Sequence, residues 1–76
     1  MTQTDTRSTV AAEVRAALAR AGQSATWLAV ETGISKQALS RKLRAETSFT
    51  VEELVAVCVA LGIDPAMLIP AGQAAA

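Results

Sequence analysis

The sequence predicts an all-α fold, and three observations carry that expectation. Ala, Leu and Val dominate the chain while aromatic residues make up only 3% of it, a composition that favours helices over a sheet. Apolar residues recur with the 3.6-residue period of a helix face. Serine, threonine and glycine punctuate the periodic stretches where helices begin and end. At 76 residues the chain is one small domain whose core is marginal, so its amphipathic faces must meet in one place. We place that domain at residues 8–70, between an unpatterned polar arm (1–7), read as disordered, and a loose tail (71–76).

The first helix is expected over residues 8–21. Val10, Val14, Ala17, Leu18 and Ala21 form its apolar stripe, Ser8 or Thr9 caps it and Gly22 ends it. Glu13, Arg15 and Arg20 fall off the stripe and are expected in solvent. The second helix, 24–32, has Ser24 as its cap and faces Leu28 and Ala29 inward. Trp27 is expected to close the edge of the core with its indole N–H towards solvent or a phosphate; alternatively it forms a small exposed patch with Val30. Thr32-Gly33-Ile34-Ser35 is the turn after this helix. Gly33 supplies positive φ, Ile34 plugs the corner and Ser35 caps the next helix.

That next stretch, Ser35 to Arg44, packs four cations and no carboxylate into one short helix. At about 100° per residue, Lys36, Ser40, Arg44, Gln37 and Arg41 share an arc of roughly 140°. Leu39 and Leu43 fall together outside it. One face can therefore join a core while a basic, amide-bearing face looks outward, with side chains of the kinds that read base edges and phosphates. A short helix, a glycine turn, an apolar plug, a cap and a polar-faced helix make a helix-turn-helix.

Residues 50–61 read as the fourth helix. Thr50 and Glu53 form a capping box, and Leu54, Val57, Cys58 and Leu61 face inward. Cys58 is most simply a small buried hydrophobe, with nothing nearby to lower its pKa. Asp64-Pro65 opens a last short helix, Ala66-Met67-Leu68-Ile69, stopped by Pro70. Part of it packs on the core; Met67, Leu68 and Ile69 are also the candidate dimer or partner surface.

Formal net charge is zero, yet the cations concentrate at residues 36–44, so a positive patch is still expected. No apolar run approaches the ~18 residues of a membrane span, and the N-terminus lacks a signal-peptide core. A lone cysteine fits a reducing, cytoplasmic setting. The chain has no histidine and no tyrosine, no glycine-rich phosphate loop and no metal-ligand spacing. No enzymatic activity, cofactor, metal or small-molecule ligand is expected.

Residues 24–46 resemble the helix-turn-helix of the lambda-repressor-like family (Cro, phage repressors and XRE-type regulators). Leu28-Ala29, Thr32-Gly33-Ile34-Ser35 and Leu39-Ser40-Arg41 carry the match. Phe49-Thr50-Val51-Glu52-Glu53-Leu54 and Ala60-Leu61-Gly62-Ile63 extend it, so that it covers about residues 8 to 69. The resemblance implies a compact five-helix domain whose third helix lies in the major groove. It makes Lys36, Gln37, Ser40 and Arg41 the base readers. Lys and Arg suit guanine O6 and N7, and Gln suits adenine N6 and N7. Lys42 and Arg44, with Ser35 and Trp27, become the phosphate contacts. The chain departs from the family at Ala25, where a backbone-contacting glutamine is common, and at Ala45, where a glycine often ends the recognition helix.

The expected function is a sequence-specific double-stranded DNA-binding transcription regulator. It would be a phage Cro-like or immunity-type repressor, or a small bacterial XRE regulator, acting by operator occupancy as a homodimer on two half-sites. The rival is a protein-interaction module on the same fold that binds a partner through apolar surface.

Overall fold

The computed structural model describes residues 6–68. Within them the chain forms α1 (Thr6–Ala21), α2 (Ala25–Thr32), α3 (Lys36–Leu43), α4 (Val51–Leu61) and a single 3-10 turn, Pro65–Met67. The helices meet around one cluster built from Val10, Val14, Leu18, Leu28, Ala29, Leu39, Leu43, Val57, Cys58 and Leu68. α2 packs against both α3 and α4, and α1 also packs against both. Trp27, Ile34, Phe49, Leu54, Leu61 and Ile63 close its edges, half-buried.

Most helix ends obey local chemistry. Ser24 Oγ accepts from the Trp27 N–H at 3.1 Å. Thr50 and Glu53 exchange the reciprocal bonds of a capping box, at 3.0 and 2.8 Å. α1 departs from expectation at its start: Thr6 and Arg7 are helical, and Ser8 and Thr9 lie inside the helix rather than at its cap. Ala11 is buried in α1, whereas Ala21, at its last residue, is exposed. The remainder of the proposed arm and the tail lie outside the described residues.

A fifth helix does not form among the described residues. Asp64 caps as expected, its carboxylate accepting from the Ala66 N–H at 3.0 Å, but the chain then makes only one 3-10 turn. Pro65, at the first position after the cap, is compatible with a helix, but the second proline, Pro70, leaves too few residues between the two to close α-helical turns. The turn divides the proposed dimer surface. With about three residues per turn, Met67 points out at 54% exposure while Leu68, at 1%, plugs the core. Leu68 is therefore removed from that surface, and Ile69 lies outside the described residues.

The exit from α3 answers the sequence departure at Ala45. Ala45 has φ +63°, the left-handed conformation that Gly22 and Gly62 adopt after α1 and α4. At all three exits the next N–H reaches back five residues: Gln23 to Leu18 O, Ile63 to Cys58 O and Glu46 to Arg41 O. This is the Schellman bond pattern, which a glycine serves without strain. Ala45→Gly is expected to raise stability by about 1 kcal/mol, read as a higher urea midpoint. A lower midpoint would show that alanine sits there unstrained.

Candidate nucleic-acid interface

Four local bonds fix the turn that presents α3. Gly33, at φ +75°, ends α2 and returns its N–H to Ala29 O at 3.0 Å. Thr32 Oγ1 donates to Leu28 O at 2.8 Å and accepts from the Ile34 N–H. Ser35 Oγ accepts from the Ala38 N–H at 3.1 Å. Leu39 and Leu43, buried at 1% and 9% exposure, then anchor one side of α3 and set the rotation of the other.

The exposed side of α3 carries an open depression lined by Lys36, Gln37, Ser40, Arg41 and Arg44, the five residues of the polar arc. Lys36, Gln37 and Arg41 are exposed, and among the described residues their side chains make no hydrogen bond or ion pair. An ammonium, a guanidinium and an amide thus stand ready to donate outward, and the amide can also accept. Ser40 is half-buried and accepts from Arg44 Nη1 at 2.8 Å. Its hydroxyl proton is still available to a ligand.

Arg44 is engaged on its other side as well. Nε reaches Glu46 Oε2 at 2.8 Å and Nη2 reaches Oε1 at 3.4 Å. This hydrogen bonding, with the charges of Arg44 and Arg41 adding to it, holds the Glu46 carboxyl below the usual carboxylate range. The same bond pushes the Arg44 guanidinium further up.

Lys42 stands apart from the face. Its Nζ donates to Ser48 O at 3.2 Å and pairs with Glu53 at 3.4 Å, with the lysine side chain only 13% exposed. Burial works against the Glu53 carboxylate, but the Thr50 N–H and Lys42 outweigh it and hold its pKa below the ordinary value. A cation read from the sequence as a phosphate contact thus joins α3 to the loop before α4 and to α4 itself. Lys42→Ala is expected to cost about 1 kcal/mol of stability while leaving the salt dependence of any duplex binding unchanged. A shallower salt dependence would return Lys42 to the phosphate contacts.

Trp27 is half-buried against the core, while Val30 is exposed at 76%. Ser35 is exposed at the head of α3 with its hydroxyl oxygen already accepting the capping bond. Two residues that support the face are not legible in the sequence. Arg15, expected in solvent, donates through Nη1 to Leu43 O at the last residue of α3. Arg7, assigned to the arm, donates to Glu46 O at 3.3 Å. Arg15 places positive charge at the C-terminus of α3, where the carbonyl groups favour it, and Arg7 ties α1 to the loop that follows. Each spans a long stretch of chain, which no local pattern encodes.

A family profile described as a helix-turn-helix domain matches residues 9–68. No curated protein and no solved structure matches the chain.

Proposed function

The chain belongs to the helix-turn-helix domain family, and from that premise we propose that it is a sequence-specific double-stranded DNA-binding transcription regulator of the lambda-repressor-like type. One observation carries the reading. The five residues of the polar arc, four on α3 and Arg44 at its C-cap, line a single outward depression, and Lys36, Gln37 and Arg41 on it are unbonded among the described residues. Lys36, Gln37, Ser40 and Arg41 are the base readers, and Arg44 and Ser35 hold phosphates, with Trp27 at the edge. The protein acts by covering an operator, as a phage Cro-like or immunity repressor or a small bacterial XRE regulator does. No helix among the described residues is long and apolar enough to cross a membrane, and we place the protein at the DNA in the cytoplasm.

One short recognition helix reads few base pairs, so specificity calls for two copies on half-sites about 34 Å apart. Selection from a random duplex library at near-physiological salt tests the reading, run beside the triple variant Lys36→Ala, Gln37→Ala, Arg41→Ala. The expected result is a two-fold-symmetric motif that the variant loses. Weak, sequence-blind binding by the unaltered protein would refute it.

A second reading, protein interaction, has its own observation. Val51, Val55 and Val59 recur every four residues along α4 and are exposed at 77%, 50% and 76%, a larger apolar stripe than Val30 alone. Ionic strength separates the two: phosphate-driven binding falls steeply with salt, and binding through a valine stripe does not.

A further inference from the structure

Glu46 places a carboxylate at the C-terminal edge of a face otherwise made of cations and neutral polar groups. Its main chain is held on both sides, the N–H by Arg41 O at 2.9 Å and the carbonyl by Arg7 Nη1 at 3.3 Å. The carboxylate spans Nε and Nη2 of Arg44, and the remaining Arg44 nitrogen is bonded to Ser40. The Nε/Nη2 edge of this guanidinium is therefore taken by the carboxylate, while Nη1 and Nη2 each keep one further N–H. A phosphate binds guanidinium through the same two-pronged geometry that the carboxylate uses. The pair is also in contact with solvent, Arg44 at 59% and Glu46 at 51% exposure, so it is open to exchange.

We propose that Glu46 is an internal competitor for the DNA backbone, occupying the Nε/Nη2 fork of Arg44 so that a phosphate can take that fork only by displacing a tethered carboxylate. This rests on the DNA-binding reading above. It assigns Glu46 a role in setting affinity rather than sequence, since a phosphate contact carries no base information. In the free protein the carboxylate holds Arg44 against Ser40 and offsets its charge. On DNA the same charge faces the backbone and opposes binding.

The test is a four-protein cycle: the unaltered chain, Glu46→Gln, Arg44→Gln and the double variant. Each is titrated with a labelled random-sequence duplex over a salt series, with its melting curve recorded. Glu46→Gln is expected to bind roughly fivefold tighter, the effect of removing one unit charge at contact distance in water. Its log–log salt slope is expected to steepen by about 0.9, one added phosphate contact. Arg44→Gln should weaken binding by itself, and in its background Glu46→Gln should no longer give the gain. If the unaltered chain binds duplex and Glu46→Gln matches it in affinity and slope, the competitor role is overturned and the DNA-binding reading stands. An equal gain with Arg44 removed would also overturn it, since bulk charge and not the fork would be responsible. If neither chain binds duplex, both readings fall.

Discussion

Leu39→Ala is expected to lower the unfolding free energy by about 2–5 kcal/mol, the range for emptying a buried leucine site. Leu39 is 1% exposed and lies in the core cluster with Leu28, Val57 and Leu68. The expected total for a chain of this length is only about 4–11 kcal/mol, so one substitution removes a large share of it. The loss bears directly on the candidate interface. α3 has eight residues, too few to hold a helix in water by itself, and its cations repel one another along the exposed side. Its helicity depends on Leu39 and Leu43 being held by α1 and α2. Duplex binding should therefore fall with the fold, in parallel with the urea midpoint. Val30→Ala, at an exposed position of α2, is the control and should stay within about 0.5 kcal/mol. An unaltered midpoint for Leu39→Ala would mean that the cluster closes without it.

The parts of this molecule that the sequence discloses are those whose causes are local. Ser24, Ser35 and the Thr50–Glu53 box satisfy N–H groups three residues away, so their roles can be read from spacing alone. The arc of Lys36, Gln37, Ser40, Arg41 and Arg44 is equally local, because rotation about a single helix axis sorts it. Lys42 shows where that ends. On the same wheel it falls about 100° beyond Arg41, towards Glu53 on another helix, and composition alone groups it with its neighbours. Arg15 is harder still. Its bond to Leu43 O joins residues 28 apart, and no periodicity marks which carbonyl a long side chain will reach. The expected last helix fails for a different reason. Four consecutive apolar or small residues after a cap resemble a helix start, but the two prolines bound a segment too short to continue it. Ala45 lies between these cases: the departure from glycine is legible, but only the backbone shows that the left-handed exit is kept.

Gln37→Ala and Arg41→Ala are expected to relax base preference at different positions of the selected operator, each by about 1–3 kcal/mol where the contact is bidentate. Both side chains are exposed and unbonded among the described residues, so neither has a protein partner to give up before meeting a base. An amide offers one donor and one acceptor, matching adenine N6 and N7; a guanidinium offers paired donors, matching guanine O6 and N7. One turn of helix separates the two residues, so they should read neighbouring base pairs and not the same one. Their removal should leave the melting temperature nearly unchanged, since the core side of α3 is untouched. The measurement is affinity against a panel of single-base-pair operator variants at fixed salt. Each substitution should flatten discrimination at its own position and preserve it at the other. A uniform loss across the panel would mean that both residues act on the backbone. The bases would then be read elsewhere on this face, with Lys36, Ser40 and Arg44 the remaining exposed or half-buried groups in the same depression.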